Sequence, residues 1–465
     1  MIDSPALATD LAIRQAYSED ASGLIGVPDA VARPATEAEV QDIVQWCLAR
    51  GTPVTAQGLR SSTVGSPLAF GGVALSLEKM DRILSIDPKH RRAVVEPGVN
   101  LGGLKRELRT AGLFFPPDPT SENECTVGGA VMTNASGARS YVYGSTRPWV
   151  RSLRLVLGNG QVTEIHRSQT TKNTVGYFGF QNPIDLLVGS EGTLGIATRI
   201  EIDLLPLPES AIAGMAFFPS LEAALAFVLG ADLSRHQRGR VTPRCLELFD
   251  DGSLDLIRPK AQALRIPDLA RAAIFFEQES SAVESDLVLE AWLQLIQDAG
   301  GLTDDTIVAT TEAQEAELKR LRHLLPATMN EKGLAARNSG GLKVGTDWAV
   351  PLERIESVLA EATRITREEF GGFFIRYGHI GNGHPHFNML ADTPEMLDRA
   401  RRAAHLMCLA AVEAGGTVTA EHGIGKLKRE YVPHQYPAWV IDAMRAVKRT
   451  LDPKGILAPG NIFES

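Results

Sequence analysis

The sequence predicts an α+β fold of two domains and a C-terminal segment, and three observations support this prediction. The chain has 465 residues, which is too long for a single hydrophobic core. Its first part is rich in glycine loops between short strands, up to the prolines Pro206 and Pro208. From about residue 210 to 415, amphipathic helices alternate with short strands, which is typical of an antiparallel sheet flanked by helices. We therefore expect domains at residues 1–208 and 209–415, followed by a C-terminal segment at 416–465.

The composition is that of a globular protein and excludes several classes of function. Apolar residues make up 44% of the chain, and the formal net charge of −9 leaves no basic excess for binding nucleic acid. The four cysteines are scattered without a CxxC pair, which indicates neither a disulfide framework nor an iron–sulfur cluster. We find no signal peptide and no apolar run of about 18 residues. We therefore expect a cytoplasmic protein, with peripheral membrane contact left open.

Local signals predict the elements of the first part. Residues 1–25 predict a helical lead-in. Thr36 and Glu39 form a capping box for a helix that ends near Gly51. Residues 115–150 lack periodicity and are rich in small polar side chains, which is typical of a functional loop. The other predicted elements are strands at 52–56, 73–77, 92–96, 151–157 and 162–165, a helix at 101–111, and a strand–glycine loop–strand unit at 186–202.

The second part shows helical and strand periodicities in alternation. The predicted helices are 221–230, 283–299, 311–324, 352–369 and 394–413. The predicted strands are 213–218, 244–249, 272–278, 306–310, 346–350 and 373–380.

The stretch 377–390 contains three of the ten histidines of the chain. Asn382-Gly383 is a strong signal for a two-residue type I′ turn, which would pair His379 with His386. Residues two apart on a strand share a face, so His384 would lie on the same side. This arrangement suits a metal or catalytic site, although polar residues on a half-buried hairpin would give the same pattern. A carboxylate or another donor must come from elsewhere in the chain.

The glycine loops match neither the dinucleotide fingerprint GxGxxG nor a Walker loop. Residues 58–65 and 128–137 could bind phosphates through backbone N–H groups, or they could be structural turns. Composition and spacing leave both interpretations open.

Longer motifs are more specific. The first part contains QGLRSSTVGSP, PPDPTSENECTVGGAVMTNASG, YVYGSTRPWV, NTVGYF and LLVGSEGTLGI, in that order. The second part contains GHIGNGHPHFN, TAEHGIGKLK and LDPKGILAPGN. In order and spacing these motifs resemble the vanillyl-alcohol oxidase/p-cresol methylhydroxylase superfamily. Within it, they are similar to the branch of D-lactate dehydrogenase, D-2-hydroxyglutarate dehydrogenase and the glycolate oxidase flavin subunit.

The resemblance implies an FAD-binding domain of the p-cresol methylhydroxylase type, with two subdomains, at residues 1–208. It also implies a substrate or cap domain at 209–415 and a C-terminal segment that returns to the FAD domain. We expect non-covalent FAD, because residues 57–67 hold no histidine or cysteine. The residues implied to bind FAD are Gln57, Gly58, Leu59, Arg60, Ser61, Ser62, Gly65, Pro117, Asp118, Thr120, Ser121, Gly128, Gly129, Asn134, Ser136, Gly137, Gly144, Glu191, Gly192, Gly195, Ile196 and Asn461.

The same resemblance completes the histidine site. His379 and His386 match the family's metal-binding histidines, and Glu421 matches its metal-binding carboxylate. This donor set suits Zn²⁺, with Mn²⁺ or Fe²⁺ as alternatives. His422 matches the active-site histidine and is implied to act as the general base. The signature GHxGDGNxH has asparagine where this chain has His384, so His384 is a metal ligand, a substrate contact or a surface group.

A substrate carboxylate calls for cationic donors. Arg322 aligns with the arginine of the family's WxxR motif, and Lys343 lies near its second carboxylate-binding lysine; both would otherwise be solvated surface charges. Arg322 alone favours a monocarboxylate such as D-lactate, whereas both together suit a dicarboxylate such as D-2-hydroxyglutarate. Asn388 and His384 are the further candidate substrate contacts.

The resemblance therefore implies an FAD- and metal-dependent D-2-hydroxy acid dehydrogenase, which transfers a hydride to flavin N5 and forms the 2-oxo acid. An external electron acceptor or an electron-transfer subunit would then reoxidise it, and a homodimer is left open. The alternatives are a glycolate or 2-hydroxy acid oxidase, a flavin subunit of a larger complex, and a zinc hydrolase without flavin. Since Glu421 and His422 are adjacent, we expect Gly423 and Gly425 to form a tight bend there.

Overall fold

The computed structural model describes residues 5–261, 265–281 and 283–464. The chain forms two compact units. One boundary between them lies one residue before the predicted boundary at 208/209, and another lies five residues after the predicted boundary at 415/416. The functions assigned to these parts stay predictions. Unit 1 comprises Met1–Gly137, Gly144–Leu207 and Glu421–Ser465, and unit 2 comprises Ala138–Tyr143 and Pro208–Ala420.

Strands and helices alternate along both units. The strands are β1 Leu7–Ala8, β2 Ala30–Ala32, β3 Val54–Gln57, β4 Val73–Ser76, β5 Ile83–Asp87, β6 Arg92–Val95, β7 Leu113–Phe114, β8 Val150–Val156, β9 Val162–His166, β10 Ile196–Asp203, β11 Leu205–Pro206, β12 Ser210–Phe218, β13 Cys245–Asp250, β14 Ala272–Ser280, β15 Ile307–Val308, β16 Leu342–Gly345, β17 Phe374–Gly378 and β18 His386–Ala391.

The helices range from single turns to one of more than six turns. They are α1 Leu11–Ala16, α2 Glu37–Arg50, α3 Leu101–Thr110, α4 Val127–Met132, α5 Ser140–Tyr143, α6 Ile184–Leu187, α7 Leu221–His236, α8 Asp251–Ile257, α9 Ser285–Asp298, α10 Glu312–Ala336, α11 Ile355–Ile365, α12 Pro394–Glu413, α13 Val432–Gln435 and α14 Ala438–Leu451. Among the described residues, no helix is both long enough and apolar enough to cross a bilayer.

Unit 1 contains two larger sheets, in agreement with a two-subdomain architecture. The first has the order β1-β2-β4-β3, with β2, β4 and β3 parallel and β1 antiparallel to β2. The second is antiparallel, with the order β5-β6-β10-β8-β9. The C-terminal segment joins the edge of the first sheet, where Val54 bridges to Leu457 in parallel. Each sheet packs its own helix on an apolar core, α2 on the first and α3 on the second.

Unit 2 is built on one antiparallel sheet, which confirms the predicted α+β arrangement. Its strand order is β15-β12-β14-β13-β17-β18-β16. Helices α8 and α10 cover one face, where Leu318 and Phe275 belong to the same buried core. On the other face, the Trp292 ring of α9 stacks on Phe276 with centroids 4.2 Å apart. The sheet therefore has an α10-facing side, and alternation along β13, β14 and β18 sets which residues point to it.

Helix α2 shows how local sequence determines an element. The Thr36 hydroxyl accepts a hydrogen bond from the Glu39 backbone N–H at 3.3 Å, and Gly51 ends the helix with a φ of 65°. Glycine adopts this left-handed conformation without a Cβ penalty. The predicted cap, apolar face and end of this helix are all confirmed.

The predicted two-residue turn at Asn382-Gly383 is wrong. Strand β17 ends at Gly378 and β18 begins at His386, so the connecting loop has seven residues. The register places Tyr377, and not His379, opposite His386.

The loop between β17 and β18 is a short 3-10 turn rather than a type I′ turn. It is closed by the His384 backbone N–H, which donates to the carbonyl of His379 at 3.1 Å. Gly383 has a φ of 63°, and a Cβ there would overlap the Val350 carbonyl. The glycine is therefore required by the close approach of another segment, which the local sequence does not reveal.

Three other predicted elements differ. The first strand of the predicted strand–glycine loop–strand unit at 186–202 is instead the end of α6 and a loop before β10. Residues 346–350, also predicted as a strand, make only an isolated bridge from Ala349 to Thr417, and the sheet strand is β16. The predicted helix 311–324 continues to Ala336 through Pro326. The predicted helical lead-in at 1–25 is described from residue 5, and in this part the helix is the short α1, Leu11–Ala16.

Candidate functional site

The three histidine rings lie together in unit 2. The ring centroids of His384 and His386 are 4.5 Å apart, and that of His379 lies 5.4 Å and 5.2 Å from them, respectively. Each ring offers one nitrogen within 4.8 Å of those of the other two. His379 is 4% exposed and His384 2% exposed. The histidine cluster therefore forms, although the register that predicted it is wrong.

The contacts of two of these rings favour one tautomer. The Nδ1 of His379 lies 2.6 Å from Oε1 of Glu247, and the Nδ1 of His386 lies 3.2 Å from the carbonyl oxygen of Thr346. An ionised carboxylate and a carbonyl only accept, so Nδ1 carries the proton and the lone pair of the neutral ring is on Nε2. Metal-binding imidazoles have this pattern, in which one nitrogen donates to an oxygen and the other coordinates. The residues thus fit a divalent cation.

Glu247 joins this cluster to Arg322. Its Oε2 accepts from the Nε of Arg322 at 2.8 Å, while Oε1 faces His379. Burial acts to raise the pKa of Glu247, but Arg322 and His379 outweigh it and hold the pKa at about 2. The Arg322 side chain is 15% exposed and ion-paired, so the alternative of a solvated surface charge is wrong for this residue.

His384, which stands where the family signature has asparagine, is buried. Its Nε2 lies 3.2 Å from Oδ1 of Asp347, and the Thr419 hydroxyl donates to the other oxygen of that carboxylate. Because His384 is buried, the surface alternative is wrong. A metal ligand and a substrate contact remain as the two candidate roles.

Asn388 carries an unsatisfied acceptor beside the histidines. It follows His386 by two residues on β18, so both side chains point to the α10-facing side of the sheet. Asn388 is 3% exposed, and within the described residues its Oδ1 has no hydrogen-bond partner. Leaving such an atom unpaired costs about 1–3 kcal/mol. A donor from a bound ligand would remove this cost, which supports Asn388 as a substrate contact.

Lys343 points to a different part of α10. Its Nζ donates to Oδ1 of Asn330 at 2.6 Å, and burial lowers the pKa of Lys343. Asn330 lies eight residues beyond Arg322 in α10, an axial rise of about 12 Å. The contacts of Lys343 therefore do not bring it to the Glu247–Arg322 pair.

A second buried carboxylate lies on the same side of the sheet. Glu277 on β14 accepts from the Nε of Arg139 at 3.0 Å and from the Nε of Arg244 at 2.8 Å. The Nζ of Lys319 lies 3.8 Å from Oε1 of Glu277. These cations hold the pKa of Glu277 well below its usual range, although burial opposes them. Glu277 resembles Glu247 in burial and charge pairing, but its ion pairs involve no histidine.

In unit 1, the loops implied to hold FAD approach one another closely. A Cβ on Gly58 would lie 2.6 Å from the Thr126 hydroxyl, and a Cβ on Gly137 would overlap the Asp118 carbonyl. Thr126 caps α4 by accepting from the Gly129 N–H at 3.0 Å. The glycines thus let three loops and a helix N-terminus share a narrow space, which fits a cofactor bound through backbone groups.

Glu191 and Asn461 connect these loops to the C-terminal segment. Glu191 is buried and accepts from the backbone N–H groups of Ile424 and Gly425, both at 2.7 Å, and from the Ser66 hydroxyl. Burial raises the pKa of Glu191. The Asn461 amide donates to the carbonyls of Ser66 and Glu191 at 2.8 and 3.0 Å. Both residues were predicted to bind FAD, and the structure gives them loop-joining contacts.

Three residues of these loops have an unusual backbone conformation. Arg60, Asn134 and Glu191 adopt positive φ angles of 58°, 52° and 51°. This conformation costs most residues with a Cβ roughly 1–2 kcal/mol, asparagine being the usual exception, and such strain is characteristic of functional sites. Arg60 therefore occupies a backbone position that favours glycine.

The other predicted FAD residues lie along these loops, and their role stays a prediction. Gln57 donates to the carbonyls of Tyr17 and Pro67, and Ile196 belongs to the apolar core at the start of β10. The loop after β3 contains Leu59, Ser61, Ser62 and Gly65, and the segment before α4 contains Pro117, Thr120 and Ser121. Gly128 lies in α4, Ser136 follows α4, and Gly144 follows α5. The segment before β10 contains Gly192 and Gly195.

Glu421 and His422 lie at the start of the last part of unit 1. The Ser136 hydroxyl is 3.4 Å from Oε1 of Glu421. Gly423 and Gly425 have φ angles of 79° and 51°, so the predicted tight bend is confirmed. The roles of Glu421 and His422 stay predictions.

Sequence reasoning missed Glu247, Thr346 and Asp347. A signal existed for Glu247, because it is a carboxylate in the middle of the apolar strand Cys245–Asp250. A buried charge in such a strand requires a partner. No local pattern marks Thr346, which contributes through its backbone carbonyl.

Comparison with known proteins gives two family matches and extended similarity to characterised enzymes. The model of the FAD binding domain matches residues 28–166, and that of the C-terminal domain of FAD linked oxidases matches residues 207–462. The chain is 31% identical over 460 residues to glycolate oxidase subunit GlcD of Bacillus subtilis (strain 168), covering 97% of this chain and 92% of that protein. It is 28% identical over 444 residues to D-2-hydroxyglutarate dehydrogenase of Xanthomonas citri pv. viticola, covering 94% and 90%.

The fold is similar to that of a solved enzyme structure. The crystal structure of p-cresol methylhydroxylase with substrate bound matches with a TM-score of 0.73 at 18% identity, over 98% of this chain and 94% of that one. At this identity the likeness concerns the fold, and it agrees with the architecture predicted from the sequence.

Proposed function

The chain belongs to the family of FAD-linked oxidases, and from this premise we propose that it is an FAD- and divalent-metal-dependent D-2-hydroxy acid dehydrogenase. The similarity to D-2-hydroxyglutarate dehydrogenase and to GlcD, over more than nine-tenths of the chain, supports this activity. FAD, when bound, supplies the acceptor for the hydride from C2 of the substrate. The product is the 2-oxo acid, and the loops of unit 1 are the proposed binding site for the cofactor.

The observation that carries the proposal is the histidine cluster of unit 2. His379 and His386 present Nε2 lone pairs in rings whose Nδ1–H groups are held by Glu247 and Thr346. We propose these two as metal ligands, with Glu421 as the carboxylate ligand that the EHGIG motif implies. A divalent cation, when bound, lowers the pKa of the substrate hydroxyl. Zinc is our first choice for a site of two nitrogens and one oxygen, with Mn²⁺ or Fe²⁺ as alternatives.

Arg322 and Asn388 are the proposed substrate contacts. Arg322 already donates its Nε–H to Glu247. The two NH₂ groups of a guanidinium form a fork of donors that suits a carboxylate. The buried Oδ1 of Asn388 accepts a hydrogen bond from an ordered water beside the substrate. Because the contacts of Lys343 lie further along α10, Arg322 alone serves the carboxylate. This favours a short 2-hydroxy monocarboxylate, such as D-lactate, over a dicarboxylate.

His422 is the proposed general base, on the motif resemblance alone. Its imidazole accepts the proton of the substrate hydroxyl as hydride leaves C2, because a neutral imidazole has a pKa near the working pH. His384 positions the substrate or adds a third imidazole, and its contact with Asp347 orients the ring in either case.

A second candidate is a flavin subunit of a multi-subunit glycolate or 2-hydroxy acid oxidase. The observation that favours it is the 31% identity to a protein named as a subunit. In that case the electrons pass to a partner chain, whereas a dehydrogenase of this kind reduces an external acceptor by itself. Purification of the chain from its own cells distinguishes the two. A flavin subunit should co-purify with partner proteins, whereas a dehydrogenase that acts by itself should not.

The decisive experiment is a panel of D- and L-2-hydroxy acids with a dye acceptor, before and after treatment with a chelator. We expect a yellow protein that oxidises D-enantiomers of short monocarboxylates and loses this activity on chelation, with recovery when Zn²⁺ or Mn²⁺ is added. If the rate of flavin reduction does not change on chelation, the proposed metal dependence is wrong. No reduction by any 2-hydroxy acid would contradict the substrate class.

A further inference from the structure

We propose that Glu247 is a positioning residue whose single carboxylate fixes both the tautomer of His379 and the orientation of Arg322. Oε1 faces the Nδ1 of His379 at 2.6 Å, and Oε2 accepts from the Nε of Arg322 at 2.8 Å. The two groups thus share one side chain as a hydrogen-bond partner, and the sequence motifs do not mark this side chain. The link to metal and substrate rests on the proposed function, whereas the link to the tautomer does not.

The location of Glu247 makes this bridge rigid. It lies in β13, an internal strand of the sheet with β14 on one side and β17 on the other. Its side chain is 3% exposed, so water does not compete for the carboxylate oxygens. Both partners are also largely buried, with side-chain exposures of 5% for His379 and 15% for Arg322. A buried, charge-assisted pair of this kind has a well-defined geometry.

No other common side chain replaces both contacts of Glu247. Glutamine has one acceptor oxygen and an NH₂ group, so it can accept from His379 or from Arg322 but not from both. Aspartate is one methylene shorter, so it cannot span the same two donors from the same backbone position. Either change loosens His379 or Arg322 while keeping a polar side chain of similar size in the sheet.

The chain offers a matched control at Glu277. This residue is also buried, lies on the neighbouring strand β14, faces the same side of the sheet and pairs with arginines. Its ion pairs involve no histidine, so Glu277→Gln reproduces the loss of a buried carboxylate without altering the proposed bridge. An effect seen in E247Q and absent from E277Q is therefore specific to the bridge and not to the destabilised sheet.

The first test reads the tautomer without reference to activity. The full chain with FAD, ¹⁵N-labelled at histidine and treated with chelator, is measured by NMR at a pH of about 8, where unperturbed imidazole is neutral. His379, assigned by its loss in H379N, should carry its proton on Nδ1 in the wild type and in E277Q. In E247D the His379 ring should become a mixture of the two neutral tautomers. A proton on Nε2 of His379 in the wild type would overturn the proposal.

The second test measures metal affinity. Zn²⁺ alone is titrated into chelator-treated wild type, E247Q, E247D and E277Q in competition with a chromophoric chelator. We expect E247Q and E247D to bind roughly 10–100-fold more weakly than the wild type, the usual effect of losing the partner of a ligating histidine. E277Q should stay within about threefold. Equal losses in E247Q and E277Q would reduce Glu247 to a structural role.

The two tests separate the inference from the proposed function. If the wild type binds no Zn²⁺ or Mn²⁺, the metal part of the proposed function fails, and the tautomer of His379 still decides the role of Glu247. If the wild type binds metal but His379 has its proton on Nε2, the proposed function stands and the Glu247 bridge fails. E247D also serves where E247Q yields too little folded protein.

Discussion

Lys343 donates from Nζ to Oδ1 of Asn330 at 2.6 Å, so its ammonium is held near the second half of α10. Arg322 lies eight residues earlier in that helix and is held by Glu247. The two cations predicted to contact the substrate thus have different partners. This separation is the reason why we favour a monocarboxylate substrate.

Substitution of the two cations should therefore have unequal effects. We expect Arg322→Lys to raise the KM for D-lactate by about 10–100-fold, because a fork of charged donors becomes a single point charge. Lys343→Met should change that KM by less than about threefold. Steady-state kinetics with the dye acceptor measure both. An equally large effect in K343M, or a preference for D-2-hydroxyglutarate that K343M abolishes, would instead support a dicarboxylate substrate.

His422→Asn should slow flavin reduction by about 10²–10⁴-fold, the usual contribution of a general base. FAD and metal should stay bound, because the substitution keeps a polar side chain and leaves the proposed ligands in place. Anaerobic stopped-flow reduction by a D-2-hydroxy acid measures the rate. His166→Asn, at an exposed position on β9, is the control and should reduce at the wild-type rate. An unchanged rate in H422N would exclude the assigned role.

Glu277 should give the protein a specific sensitivity to acid. Burial opposes ionisation of Glu277, but Arg139, Arg244 and Lys319 prevail and depress its pKa in the folded state below the 4.5 expected when unfolded. The stabilisation is thus complete above about pH 4.5 and is lost as pH falls towards the folded pKa. In that window the unfolding free energy should fall by up to about 1.4 kcal/mol per pH unit.

Urea unfolding at a series of pH values tests this sensitivity. Glu277→Gln should show a shallower loss below about pH 4.5, on top of a lower stability at neutral pH from the unpaired cations. Glu290→Gln, at an exposed position on α9, should keep the wild-type slope. The same slope in E277Q and the wild type would mean that other carboxylates govern the acid response.

The elements with strong local signals were predictable, and α2 is the clearest case. Its cap at Thr36 and its end at Gly51 depend on neighbouring residues within the helix, so the sequence is sufficient. The apolar run 186–188, at the start of the predicted unit 186–202, was not, because a short apolar run fits a buried helix end as well as a strand.

The candidate site shows the same limit at closer range. Proximity of the three histidines followed from their spacing, whereas their register did not, because Gly383 is dictated by Val350 and not by its neighbours. Glu247 precedes His379 by more than a hundred residues, and only the pairing of β13 with β17 brings their strands together. Contacts between non-local strands are beyond what periodicity can reveal.

The close approach of Gly137 to Asp118 predicts that Gly137→Ala will impair FAD binding. A Cβ would overlap the Asp118 carbonyl, and since this is backbone, relief requires the loop to move. Overpacking of this kind costs about 1–3 kcal/mol, and the displaced loop 117–121 is one of those implied to line the cofactor. We therefore expect purified G137A to hold less FAD per chain and to melt at a lower temperature.

Gly103→Ala is the matched control for this prediction. Gly103 lies in α3, and the nearest atom to an added Cβ is 3.5 Å away, which is ordinary van der Waals contact. Alanine in a helix is favoured over glycine by about 1 kcal/mol, so G103A should be at least as stable as the wild type, with full FAD. Absorbance near 450 nm and thermal melting, with and without added FAD, compare the two variants. Full FAD content and an unchanged melting temperature in G137A would show that the Asp118 loop does not confine the cofactor.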